Sequence, residues 1–221
     1  MCGRYTMLAD QMKVKNRFEL SGDIPGFEKS YNIAPGQQVL AVIHDGKQRR
    51  AGYLRWGLVP FWAQDEKIGY KMINARSETI HQKPSFKHLL GRKHCLIVAD
   101  SFYEWQKTET AKQAKRISLE NENMFAFAGL WEKWEHEGQK LFTCTVLTEA
   151  SNAFMEPIHH RMPVILPKEE ENNWLQLHTS PFKVKQYVEE LVPDQLTAYN
   201  VSNYVNHAKH NDQTCIEPMN T

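Results

Sequence analysis

Short apolar runs interrupted by turn signals set the strongest limit on how this chain folds. Val39 to Ile43, Tyr53 to Leu58, His94 to Asp100, Met124 to Trp131, Leu141 to Thr148 and Val164 to Leu166 are rich in β-branched and aromatic residues, and pairs such as Asp45-Gly46 and Glu137-Gly138 punctuate them. These read as strands of a largely antiparallel sheet system. Helical patterns are confined to about Leu8 to Phe18, Ser85 to Leu90, Lys168 to Leu177 and Phe182 to Leu191, the last with Ser180 as N-cap ahead of Pro181. Strands in succession, without strict β-α alternation, favour an α+β fold over a doubly wound one. Thr108 to Lys115 and the tail after Asn206 read as polar loop or loose end.

The 221 residues suit one domain spanning 1–221, with ample length for a buried core. No apolar run approaches the ~18 residues of a membrane span, and Arg4-Tyr5-Thr6-Met7 leads into mixed polar sequence without a secretory pattern. A cytoplasmic protein with no membrane partner is expected. Cys2, Cys95, Cys144 and Cys215 lie far apart, which argues against a disulfide scaffold or a zinc ribbon; Cys95 and Cys144 sit in apolar runs as packing residues. The net charge of +1 gives no global argument for nucleic acid, yet the charge is polarised. Between Lys71 and His94 stand Lys71, Arg76, Lys83, Lys87, Arg92 and Lys93 against Glu78 alone, whereas Glu149 to Asp194 is acidic. Such a basic stretch either tracks phosphates or forms a solvated face.

Several polar residues stand out chemically. A small residue at position 2 permits removal of Met1, leaving Cys2 with a free amine of pKa roughly 7.7–8.0 beside a thiol of roughly 8.5. Such a 1,2-aminothiol can use its amine as base for its thiol, or attack an aldehyde with nitrogen and close a thiazolidine with sulfur; Cys2 can equally be an ordinary terminal residue. Asn74, in Met72-Ile73-Asn74-Ala75-Arg76, can satisfy buried backbone groups or hold a reactive amine. Glu104 lies among Phe102, Tyr103 and Trp105, surroundings that raise a carboxyl pKa toward general-acid use. His159 and His160 precede a strand, and adjacent histidines with no third ligand at a helpful spacing fit a metal poorly, so neither metal nor cofactor is expected. The cluster from Trp56 to Trp62, punctuated by Gly57 and Pro60, reads either as core or as a wedge against unstacked bases.

Six segments, in one order, resemble the SOS-response-associated peptidase family: Met1-Cys2-Gly3-Arg4-Tyr5, Tyr31-Asn32-Ile33-Ala34-Pro35-Gly36, Trp56-Gly57-Leu58-Val59-Pro60, Ile73-Asn74-Ala75-Arg76-Ser77-Glu78-Thr79, Ala99 to Trp105, and Ile158-His159-His160-Arg161-Met162-Pro163. The resemblance implies a single α+β domain on a barrel-like β core with peripheral helices, autocatalytic loss of Met1, and covalent trapping of abasic sites in single-stranded DNA through a thiazolidine at Cys2. It assigns Cys2 as nucleophile, Asn74 as the residue positioning its amine, Glu104 as acid/base and His159, directly after Ile158, as proton-transfer assistant. Arg4, Arg76 and Arg161 match phosphate-holding positions, and Trp62 belongs to the aromatic segment that meets DNA. Phe61 departs from the pattern, standing where many relatives carry tryptophan, and so does Asn206 to His210. A monomer is expected, associated with the nucleoid when bound to damaged DNA, its protein partners unknown.

Sulfur attack gives this chemistry its protective sense, because it converts an imine prone to β-elimination into a saturated ring. Two other functions compete. A class II glutamine amidotransferase also begins Met-Cys-Gly, but the later segments do not resemble that family. A non-enzymatic reader of modified DNA needs the aromatic and basic residues but no free Cys2. A protease acting on other proteins ranks lower, since nothing in the sequence shows a peptide groove.

Overall fold

The computed structural model describes residues 2–120, 124–191 and 195–219. In chain order these form β1 (Tyr5–Met7), α1 (Gln11–Phe18), β2 (Ser30–Ile33), β3 (Gln38–His44), β4 (Arg49–Trp56), β5 (Asn74–Arg76), α2 (Pro84–Lys87), β6 (His94–Ala99), β7 (Ser101–Lys107), β8 (Lys112–Leu119), β9 (Phe125–His136), β10 (Gln139–Ala150), β11 (Arg161–Pro163), β12 (Ile165–Leu166), α3 (Glu171–Leu175), α4 (Pro181–Glu189) and β13 (Leu196–Asn200). Strands β10, β4, β3, β6 and β9 pair in that order, and β9 returns to β10, closing a five-stranded barrel without free edges. Every ladder of the ring is antiparallel except β4–β10, where Trp56 stands opposite Cys144. A second antiparallel sheet, β13-β8-β7-β1-β2, lies beside it. The fold is α+β, mostly antiparallel, with a barrel core and few, peripheral helices.

Long-range packing joins the two layers at β1. Tyr5 is fully buried, with its ring edge-on to Trp56 at 5.4 Å and to Phe127 at 5.6 Å between centroids. An aromatic side chain buries roughly 150–250 Å², so Tyr5 fixes β1, and with it the residues just before, against the barrel. Within the ring, a Cβ on Gly129 would stand 2.8 Å from Cys95 Sγ and 2.9 Å from Ile97 Cδ1, so only glycine lets β9 pack this closely over β6. Strand β6 passes into β7 through one residue, Asp100, whose carboxylate accepts from Thr6 Oγ1 and the Leu8 backbone N–H. That corner carries the chain from barrel to second sheet and holds β1 beside it.

Some sequence expectations are corrected. Thr108 to Lys115 is not all loop, since β8 begins at Lys112 and pairs with β7 from Lys107 to Phe102; polar residues satisfy a strand whose outer face meets solvent. The tail after Asn206 is not loose. Asn32 Nδ2 donates to the carbonyls of Val205, His207 and His210, and Cys215 is buried. The helix expected over Lys168 to Leu177 divides into a 3-10 turn at Lys168–Glu170 and α3, and α1 starts at Gln11 because Asp10 caps it, accepting from Lys13 N–H at 2.9 Å. Ser180 caps α4, with Pro181 in its first turn.

Candidate active site

Cys2 sits three residues ahead of Tyr5, where the pairing with β7 begins, and Tyr103 N–H donates to Arg4 O at 2.9 Å, so the second sheet grips the chain to within two residues of the cysteine. The Cys2 side chain is buried, its Sγ 3.9 Å from Arg4 O. Burial, followed by the nearby Glu104 charge, pushes the thiol far above its ordinary pKa, so it is held protonated.

Asn74 comes from β5, which lies parallel to β10 with Asn74 opposite Val146. Trp56 Nε1 donates to Ile73 O at 2.8 Å and pins this short strand to the barrel. The bend that delivers β5 depends on Gly57, whose φ of +127° and approach to Gly69 exclude a side chain: a Cβ would stand 2.7 Å from Gly69 O. Asn74 Nδ2 donates to Cys2 O at 2.8 Å. Its buried Oδ1 meets no hydrogen-bond donor among the described residues, leaving an acceptor beside the cysteine backbone.

Glu104 is buried on β7, and burial raises its carboxyl above the ordinary range. Its aromatic surroundings differ from those read in sequence. Strand alternation puts Phe102 on the same face, in the main core, and sends Tyr103 and Trp105 to the opposite face, where they pack with Val201, Val205 and Cys215. His160, outside β7, is the imidazole whose charge most affects Glu104.

His159 lies in the turn between β10 and β11, its N–H bonded to Met155 O at 2.8 Å. His159 Nδ1 lies 3.0 Å from the Arg161 backbone N–H and 3.1 Å from Arg161 O, so in the neutral ring it accepts from the one or donates to the other. Partial burial lowers its pKa, favouring that neutral form. The exposed His160 ring stacks on it at 4.4 Å, and mutual repulsion lowers His160 as well.

The three arginines have different surroundings. Arg161 is buried and committed, with both terminal nitrogens on Glu78 and Nη2 also on Thr148 O at 2.7 Å. Arg4 clasps the C-terminal segment, donating to Asn32 Oδ1 at 3.0 Å, Val205 O at 2.7 Å and Asn206 O at 3.1 Å. Arg76 is exposed and makes no ion pair among the described residues. Trp56 belongs to the core, whereas Trp62 is 46% exposed and Phe61 58%. Sequence reading missed the clasp by Asn32 and the partnership of Glu78 and Thr148 with Arg161, because each joins residues far apart in the chain. Met1 lies outside the described residues. Among those residues, no group of three His, Cys, Asp or Glu is placed to hold a metal ion, and no helix is long and apolar enough to cross a membrane.

Beside the closed β-barrel, then, a buried near-terminal cysteine has its carbonyl held by the Asn74 amide and lies near enough to the buried Glu104 for that charge to act on its thiol. The SOS response associated peptidase (SRAP) family profile matches residues 1–208, and the chain belongs to that family. It is 47% identical over 222 residues to the abasic site processing protein YoqW of Bacillus subtilis (strain 168), covering 98% of this chain and 99% of that protein. It is 31% identical to the abasic site processing protein HMCES of Xenopus tropicalis, over 88% of this chain and 68% of that protein. A crystal structure of a Bacteroides thetaiotaomicron protein superposes with a TM-score of 0.87 at 25% identity, over 99% of this chain and all of that one.

Proposed function

We propose that this chain captures abasic sites in single-stranded DNA covalently, through a thiazolidine formed by Cys2 after Met1 is removed by hydrolysis of the Met1–Cys2 peptide bond. The observation that carries the reading is the pairing of Cys2 with Asn74: the amide already holds the cysteine carbonyl, and its unfilled Oδ1 is an acceptor suited to the freed amine. The names of the YoqW and HMCES relatives support the lesion class.

The Cys2 amine adds to the ring-opened sugar aldehyde and loses water to give an imine. Glu104, whose carboxyl pKa burial raises above the ordinary range, donates a proton to the departing oxygen. The thiol sulfur then adds to the imine carbon while its proton passes to the imine nitrogen, with neutral His159 as relay, and the ring closes. The raised thiol pKa prevents premature thiolate chemistry and makes proton removal a step requiring assistance. Arg76 and Trp62 meet the flanking DNA as exposed cation and aromatic, while Arg4 and Arg161, expected from sequence at phosphates, have their guanidinium groups engaged by the protein's own acceptors. The protein acts as a cytoplasmic monomer, without cofactor, joining the nucleoid at damaged DNA.

Intact-mass measurement tests this reading. The purified chain should lack Met1 and gain the full oligonucleotide mass when mixed with single-stranded DNA carrying one abasic site. Cys2→Ala should give no stable adduct. A heat-stable adduct of normal yield from Cys2→Ser would exclude the thiazolidine.

A further inference from the structure

Between Lys71 and Lys93 the chain places six cations whose fates diverge. Lys93 and His88 both reach the buried Glu132 carboxylate, His88 Nε2 at 2.5 Å, so their polar ends are tied into the fold. Lys71, Arg76, Lys83, Lys87 and Arg92 are exposed and make no ion pair among the described residues, and the one acid in the stretch, Glu78, is bound to Arg161. Five uncompensated cations on 22 residues repel one another, a cost that a bound polyanion removes.

Two of them line a groove. A cavity of about 500 Å³ between α2 and the start of α4 is bordered by Lys87, His88, Arg92, Thr179 and Ser180, with no acidic residue on its wall. Its shape is fixed by close packing: Gly91, at φ +73°, lies so close to Thr179 that an added Cβ would stand 2.3 Å from Thr179 O. Two exposed aromatic rings adjoin its lining residues, Phe61 at the His88 ring and Phe182 next after Pro181. Phe61, 58% exposed, meets the His88 ring at 5.0 Å, and Phe182, 54% exposed, meets His81 at 5.9 Å. Phe61 is the chain neighbour of Trp62, and its contact with His88 links that exposed aromatic segment to the groove wall.

We infer that this groove is a second nucleic-acid contact, in which Lys87 and Arg92 hold backbone phosphates of the captured single strand at a distance from the lesion, with Phe61 and Phe182 offering faces to unpaired bases. Alternating cations and exposed rings suit an unpaired strand, because every base has a face to stack while the phosphates need only charge. A duplex arm would use the cations and leave the rings idle. The inference rests on the reading of the chain as a DNA-capture protein and adds an anchor for strand extending past the site.

The test compares the parent with Lys87→Glu/Arg92→Glu on undamaged oligothymidylates of about 6 and about 25 nucleotides, the first near the lower bound of about 4–16 nucleotides for one single-strand site and the second beyond the upper bound. On the long probe the variant should bind about 10-fold or more weaker at low salt, and its salt slope should fall by about 1.4, or about 0.7 for each phosphate no longer neutralised. The short probe should bind both proteins alike, and a short oligonucleotide with one abasic site should crosslink to both at equal rate. Lys87→Gln/Arg92→Gln, checked for an unchanged melting temperature, repeats the measurement if the charge reversal does not fold. Equal affinity and slope on the long probe overturns the groove. A matching loss on a 25-base-pair duplex, with no preference for the single strand, overturns the assignment to unpaired DNA. Absence of any adduct from the parent refutes the capture reading, while the oligothymidylate result still judges the groove.

Discussion

Asn74 holds the Cys2 carbonyl at 2.8 Å with its nitrogen while its oxygen, equally buried, meets no donor among the described residues. A buried acceptor left unpaired costs roughly 1–3 kcal/mol, a cost consistent with an amine arriving there once Cys2 becomes the terminus. Asn74→Ala removes both interactions, and adduct formation should slow by about 10²-fold at saturating oligonucleotide, as expected when a reacting amine loses its orientation. Asn74→Asp keeps an acceptor but loses the donor to Cys2 O, so it should be slowed less. Quenched time courses read both rates. Equal slowing by the two substitutions would place the effect on the carbonyl bond alone.

The raised Glu104 and lowered His159 predict a bell-shaped pH profile. Neutral His159 appears as pH rises through its lowered pKa, giving the ascending limb below the usual histidine range. Protonated Glu104 persists above the usual carboxyl range and disappears as pH rises through its raised pKa, giving the descending limb. Glu104→Gln should abolish that descending limb and slow crosslinking by roughly 10²–10⁴-fold, with noncovalent DNA affinity kept. Rates within a few-fold of the parent from pH 5 to 9 would leave Glu104 as a purely structural acid.

The barrel strands were legible because their alternating or continuous apolar runs announce burial on at least one face, as Val39 to Ile43 and His94 to Ala99 do. The strands β1 and β11 were not, since each has three residues and is a strand only because a partner lies alongside: Tyr5 against Phe102, Met162 against Glu149. Site candidates were nameable individually from chemistry and order. Their meeting depends on long-range pairings, such as that of residue 2 with residue 74, that local pattern does not encode. The aromatic setting of Glu104 was misread for the same reason, because neighbours in sequence become opposite faces in a strand.

Glu149 provides a test of pH-linked stability. Burial and the Glu78 charge raise its pKa to about 7, against the partial relief from Arg161. With the unfolded value near ~4.3, the folded state binds this proton more tightly. The stability contributed by that proton is complete below the unfolded pKa and is lost as pH rises through about 7. Glu149→Gln should therefore melt higher than the parent at pH 8 and with little difference at pH 4, by scanning calorimetry. A lower melting temperature at pH 8 would show that the carboxylate is stabilised by its surroundings.

Arg161 and Arg76 both pair with β10, opposite Ala150 and Thr148, yet their surroundings predict opposite phenotypes. Arg161 is buried, bidentate on Glu78 and bonded to Thr148 O. Arg161→Ala removes one of two donors to the Thr148 carbonyl, which keeps Ser77 N–H at 2.9 Å, and frees Glu78 beside Glu149, so it should cost about 2–4 kcal/mol, below the full value for a buried pair because Glu78 reaches solvent. Arg76 is exposed, and Arg76→Ala should change stability by no more than ~0.5 kcal/mol. Its effect should fall on DNA: weaker capture at low oligonucleotide concentration, and a salt slope shallower by about 0.7 for single-stranded DNA. Urea denaturation and salt-titrated binding on the two variants separate the roles. A stable Arg161→Ala with a reduced salt slope would move Arg161 from the fold to the phosphates, and an Arg76→Ala indistinguishable from the parent at every salt concentration would remove Arg76 from the DNA surface.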